Sequence, residues 1–301
     1  MDAKSIVSIL SQELAADAYS VKLPTQETEL VFRPITLLEQ KKLSKLFLPV
    51  QVKNYSEIYE ISKGLIEHTC INKDALDFKK ITEIDRALIL CSFLSRNYTI
   101  PDLDITCDSF ASENKCSGKM KLKMNYESIA KKIFADELIL KPMVKTFETN
   151  SRVFEFTLFY PSISIMSEFE RMVQAYPDNE LKEALSESKI DGVQAQITKL
   201  LSHPTFPLIF IKNLKVSNKA SEDNEIDKVI LDVDVSTISL QDLITVFSEL
   251  PLHFFTCDDG LNDIIQNKYI TSLISNTSVD IQCPVCQKIH KDVISFYAFF
   301  I

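Results

Sequence analysis

The sequence predicts an α+β protein in which helical regions alternate with antiparallel β-hairpins. Three observations predict it. Apolar residues recur at helical spacing in several segments, as at Ile58, Ile61 and Leu65. Short runs instead alternate apolar with polar, as in LDITC (103–107), KMKLKM (119–124) and KVILDVDV (228–235). Capping pairs, Thr36 with Glu39 and Thr82 with Asp85, mark helix starts between those runs.

Taken in order, residues 4–18 read as an amphipathic helix with Ile6, Ile9, Leu10 and Leu14 on one face. A hairpin follows, with Val21 and Leu23 facing Leu30 and Phe32 across the PTQET turn. Thr36 then opens a helix that Pro49 stops. Helices are expected at 56–70 and from Thr82 onward, the latter with Leu88, Cys91 and Leu94 as its buried stripe. The strands LDITC and KMKLKM are joined by a polar loop holding Cys107 and Cys116, and a short helix at 126–134 follows. Pro142 and ETNS (148–151) suggest a division into an N-terminal domain, 1–150, and a C-terminal domain, 151–301. Beyond it, RVFEFTL (152–158) reads as a strand, and helices are expected at 162–175, 179–187 and 190–201. LIFIKNLKV (208–216) and KVILDVDV read as strands around a polar loop, 218–225. Ser239 and Asp242 cap a helix ending before Pro251, and a further helix spans 259–274. LDITC and VDIQC (279–283) each follow a helix and lead into a cysteine loop and a strand. They are either two related helix-plus-hairpin units or a chance likeness.

Composition excludes several function classes. The chain of 301 residues is 46% hydrophobic and 25% charged, which is globular and long enough to bury a sizeable core. Its four glycines leave no Gly-rich phosphate loop. A net charge of −9 argues against a nucleic-acid partner, because phosphate contact needs a basic face. The basic stretch Lys119, Lys121, Lys123, Lys131 and Lys132 reads as a solvated face. No apolar run reaches membrane-spanning length, and MDAKSIVSIL lacks the pattern of a signal peptide, so a reducing cytoplasm is expected. Seven cysteines then read as thiols or metal ligands, not as a disulfide framework.

The most specific motif is C-x-x-C at Cys283 and Cys286, in CPVCQKIH. Two thiolates at that spacing on a tight turn can point at one zinc ion. Four further residues bear on the missing ligands. Cys107 and Cys116 supply a second pair only if the two hairpins meet in space. His290 and Cys257 are the other candidates. A metal-free hairpin and a thioredoxin-type redox pair are the alternatives, the last disfavoured because a β-like segment, not a helix, follows the motif. Cys70 and Cys91 lie on apolar helix faces and read as core residues.

No catalytic constellation emerges. His68, His203 and His253 are scattered, and neither G-x-S-x-G nor H-E-x-x-H occurs. The pairs Asp102/Asp104 and Asp232/Asp234 read as solvent-facing strand positions, and Asp258/Asp259 as a helix start. An enzyme and a small-molecule substrate are therefore not expected. The terminal FYAFFI places Phe296, Tyr297, Phe299, Phe300 and Ile301 within the last six residues. That much apolar surface must be covered, either within the chain or by a partner.

The order of these features resembles the T-even-type phage baseplate hub subunit family. The carriers are VKLPTQETELVFRPITLLEQKKL, the helices leading to LDITC, and CPVC followed by FF near the C-terminus. The resemblance covers about 20–135 and the C-terminal motif, with the middle matched only in general pattern; the nine-residue spacing of Cys107 and Cys116 departs from C-x-x-C. It implies a non-enzymatic structural component of the virion, located in the tail baseplate and assembled in the host cytoplasm. Its partners would be other hub and wedge proteins, without nucleic acid or membrane. Two other readings remain: a tail-assembly chaperone or catalyst absent from the mature virion, and a zinc-ribbon-type regulatory or nucleic-acid-binding protein.

Overall fold

Helix α1 (Ala3–Ala16) precedes a hairpin whose alternation sets its packing. Strands β1 (Tyr19–Lys22) and β2 (Glu29–Phe32) pair antiparallel, with Tyr19 opposite Phe32 and Val21 opposite Leu30, and these four side chains are buried. The computed structural model describes residues 3–46, 55–96, 103–107, 110–111, 114–116, 118–122, 126–175, 203, 205–219, 229–271 and 278–293. The helices expected at 179–187 and 190–201 lie outside them, as does the terminal cluster Phe296, Tyr297, Phe299, Phe300 and Ile301.

The capping box at Thr36 forms as the sequence predicts, opening α2 (Leu37–Lys45). Glu39 donates its backbone N–H to the Thr36 hydroxyl at 3.3 Å and accepts three bonds at its carboxylate. Its carboxylate takes the Thr36 N–H at 2.7 Å and a two-pronged pair from Arg33 at 2.9 and 2.7 Å. Burial opposes the charged form of Glu39. The Arg33 guanidinium and the Thr36 donors outweigh it and hold the carboxyl down at about 2. Helix α3 (Tyr55–Thr69) returns to the hairpin, where Asn72 accepts from the Val31 N–H at 2.7 Å and donates to the Glu29 carbonyl at 3.0 Å.

Helix α4 (Glu83–Arg96) departs from its expected stripe, because every residue from Glu83 to Leu94 is buried. A helix enclosed on all sides must satisfy its polar groups internally. Asp85 does so at the helix start, accepting from the Thr82 N–H at 2.9 Å and from the Thr25 N–H at 3.1 Å. The Thr25 hydroxyl donates to the same carboxylate. The β1–β2 turn is thereby tied to the α4 cap.

The strands β3 (Leu103–Thr106), β4 (Phe110–Ala111), β5 (Asn114–Lys115) and β6 (Lys119–Leu122) lead into helices α5 (Tyr126–Ala135) and α6 (Glu137–Leu140). A four-stranded antiparallel sheet then forms in the order β10-β9-β8-β7. Its strands are β7 (Met143–Glu148), β8 (Arg152–Leu158), β9 (Ile211–Asn218) and β10 (Val229–Asp234), with helix α7 (Ile163–Ala175) between β8 and β9. The boundary expected at 150 falls in the tight β7–β8 turn, where the Thr149 N–H meets the Arg152 carbonyl at 2.8 Å. One continuous apolar cluster runs from Tyr19 to Ile270 across it. The Ile163 N–H also donates to the Ile81 carbonyl at 3.0 Å, joining the two halves directly.

Two expectations are corrected. Phe206–Phe210 is a 3-10 turn and β9 begins only at Ile211. Pro207 explains this, since it offers no N–H for a ladder and suits the first turn of a helix. The expected helix at 259–274 is α-helical at Leu261–Ile264 and widens to π-helix over Ile265–Ile270, with Gly260, not the Asp258/Asp259 pair, as its N-cap. The segment is anchored where the Tyr269 hydroxyl donates to the Leu158 carbonyl at 2.7 Å. Helix α8 (Leu240–Ser248), capped by Ser239 as predicted, covers one face of the sheet, where Phe247 and Phe254 pack on Phe156 and Phe147 stacks on Phe254 at 4.7 Å. Strands β11 (Ser278–Gln282) and β12 (Ile289–Val293) form the last hairpin. Among the described residues, no helix is long and apolar enough to cross a membrane.

Candidate metal centre

Each pair of cysteines is presented by a hairpin, and the two hairpins reach their pairs differently. In the first, β3 and β6 align Ile105 with Met120 and Thr106 with Lys119. The ladder continues one step further, with the Cys107 N–H donating to the Gly118 carbonyl at 2.8 Å. The small β4–β5 hairpin takes up the intervening residues, pairing Ala111 with Asn114. That inner hairpin is what lets a nine-residue spacing act as a knuckle.

In the second, β11 and β12 align Gln282 with Ile289. The Cys283 N–H donates to the Lys288 carbonyl at 3.0 Å and the Gln287 N–H to the Cys283 carbonyl at 2.9 Å. Gln287 closes the turn at φ 61°, a left-handed conformation that glycine adopts at less cost.

The hairpins meet, and their four sulfurs lie within 4.8 Å of one another. The Sγ atoms of Cys107 and Cys286 are 3.6 Å apart and those of Cys116 and Cys283 are 3.8 Å apart. A tetrahedron with zinc–sulfur bonds of about 2.3 Å has sulfur–sulfur edges of about 3.8 Å. Those two sulfur pairs therefore already stand at the spacing that a tetrahedral metal site requires. Cys107, Cys116 and Cys283 are buried and Cys286 is half-buried. Together with Met120 they form a small core separate from the main one.

Gly118 fits against this group. A Cβ there would lie 2.5 Å from the Cys283 sulfur and 3.1 Å from Val285, so no side chain can be added without displacing that sulfur. The protonation chemistry is distinctive too. At Cys116 the Gly118 backbone favours the thiolate, but burial and the thiols of Cys107, Cys286 and Cys283 prevail and push the group up to about 12. A cation reverses that balance, because metal binding exchanges protons for metal–sulfur bonds.

Cys257 does not join the cluster. Cys257 is exposed, at the end of the short helix His253–Thr256. His290 lies on β12 opposite Ile281. Cys70 and Cys91 are buried in the main core as expected, and burial raises both thiols. His203 takes the Thr205 hydroxyl at 2.8 Å and His253 packs edge-on against Phe254, so the histidines remain scattered. Asp232 accepts from the Asn213 side chain at 2.9 Å at an exposed strand position.

One buried ionic group escaped the sequence reading. Arg86 is fully buried and pairs with Glu83 at 2.7 Å, while also donating to Ser62 at 3.1 Å. Burial raises the Glu83 carboxyl, to about 7, although Arg86 opposes it. The available signal was an acid and a base three residues apart inside an otherwise apolar helix. No protein-family model matches the chain, and no curated protein or solved structure matches it.

Proposed function

We propose that the protein is a non-enzymatic structural subunit of a phage contractile-tail baseplate, a hub component whose two cysteine hairpins are stapled by zinc. The observation that carries the metal reading is the closed four-sulfur cluster. Four cysteine ligands leave no open position for substrate or water, which is the arrangement of structural zinc and not of catalytic zinc. The hub assignment is supported by the order of motifs along the chain, from the β1–β2 hairpin with its FRP and capping box to the CPVC knuckle. The same hairpins favour a second reading, a zinc-ribbon nucleic-acid binder, but a net charge of −9 weighs against a phosphate-binding surface.

Elemental analysis of the purified full chain tests the first part. One zinc per chain is expected, lost together with all four thiols' protection from alkylation when a chelator is added. A chain without bound metal, with the hairpins unchanged by chelator, overturns the staple. Stoichiometric presence of the protein in purified tails tests the second part. Its presence during assembly and absence from finished particles would instead indicate an assembly chaperone or catalyst.

A further inference from the structure

We infer that the four-sulfur cluster is also an oxidation site, at which a peroxide attacks Cys286 and Cys107 resolves the product into a disulfide between the two hairpins. The inference goes beyond the structural zinc reading and rests on the distances between the sulfurs, not on a bound metal.

Three observations carry it. Two close sulfur contacts, at 3.6 and 3.8 Å, run between the hairpins: Cys107 to Cys286 and Cys116 to Cys283. Cys286 is the half-buried member of the group while the other three are buried, so an oxidant in solvent meets it first. Its neighbour Val285 is 70% exposed, which places this turn at the surface. The Cys107–Cys286 contact must shorten by about 1.6 Å to reach a disulfide bond length of about 2.05 Å, a change within reach of side-chain rotation.

The chemistry balances with one peroxide per disulfide. The Cys286 thiol attacks one peroxide oxygen, the O–O bond breaks, and Cys286 becomes a sulfenic acid as water leaves. The Cys107 thiol then attacks that sulfur, the S–O bond breaks, and a second water departs with the Cys107 proton. Two thiols are oxidised to one disulfide and hydrogen peroxide is reduced to two waters. The same sequence at Cys116 and Cys283 consumes a second peroxide. Any bound metal then loses its thiolates, and the covalent link takes over its place between residues separated by 179 positions.

The experiment treats the full chain, zinc-loaded and chelated in parallel, with one equivalent of hydrogen peroxide. Non-reducing peptide mapping follows, and zinc content is measured separately. Cys107–Cys286 is expected as the first cross-link in both samples, with zinc release in step in the loaded one. A first cross-link between Cys283 and Cys286, or consumption of the exposed Cys257 alone, overturns the inference. If the chain holds no zinc yet forms Cys107–Cys286, the staple reading fails and this one stands. Cys286→Ser should slow peroxide-driven thiol loss within the cluster by about tenfold. In Cys107→Ala, Cys286 should halt as a sulfenic acid that dimedone captures; dimedone labelling of Cys116 or Cys283 instead overturns the order of attack.

Discussion

The two cores formed by the described residues are held together by different means. The larger one gathers apolar side chains from Tyr19 to Ile270, with Phe32 packed on Phe93, Phe156 on Phe254 and Phe169 on Phe206. The smaller one consists of Cys107, Cys116, Met120 and Cys283, with Cys286 packed against it. Ordering backbone costs about 1–2 kcal/mol per residue. The large core offsets that cost by burying apolar surface. Four thiols and one methionine offer too little such surface to hold four strands, so the small core depends on what joins its sulfurs. A region rich in hydrophobic contacts tolerates loss of any one partner better than a region organised around a single point.

Metal removal should separate the two regions most sharply. Structural zinc in small domains contributes about 10–16 kcal/mol of apparent binding energy. A chelator should therefore abolish amide-exchange protection in β3, β6, β11 and β12 while leaving β8 and β9 protected. Simultaneous loss in both regions would show that the cores are one cooperative unit.

The main core has its own single point of failure in the Arg86–Glu83 pair. Arg86→Met should cost about 3–5 kcal/mol by leaving Glu83 buried without its cation. Adding Glu83→Leu should recover much of that loss, because the unpaired charge is then gone. Denaturant titration of the single and double variants reads the difference, and equal destabilisation by both would mean that packing, not charge, dominates there.

Gly118→Ala should sharpen the contrast in the opposite direction. Overpacking against the Cys283 sulfur should cost about 1–3 kcal/mol and weaken metal binding, with the main transition of the large core unmoved. A competition assay against a chromophoric zinc chelator measures the first effect and thermal unfolding the second. The smallest expected effect is at the α2 cap. Glu39 titrates at about 2 instead of its ordinary 4.5, so its stabilisation is present above 4.5 and disappears as pH falls toward 2. Thr36→Ala should remove about 1 kcal/mol at neutral pH and reduce that acid dependence.

Much of the local structure was legible in the sequence because its causes are local. The alternation in VKL and LVF specifies the β1–β2 hairpin, and Thr36–Glu39, Thr82–Asp85 and Ser239–Asp242 specify helix starts through hydrogen bonds that reach three residues. The sheet was only half legible. RVFEFTL announces β8, whereas β7 (MVKTFE) was obscured by Pro142 and the polar turn after it, which resemble a linker. The boundary expected at 150 was placed on those same residues.

The sequence alone determined the α+β class, and it offered the cysteine hairpins as separate units and their thiols as candidate metal ligands. Only the tertiary structure decided that Cys107 and Cys116 stand beside Cys283 and Cys286, that Gly118 must remain without a side chain, and that α4 is enclosed on every side. The reason is the range of the forces involved. Caps, turns and strand alternation are set by neighbours a few positions away. Meeting of two hairpins across 179 and 167 positions is set by how the whole chain packs.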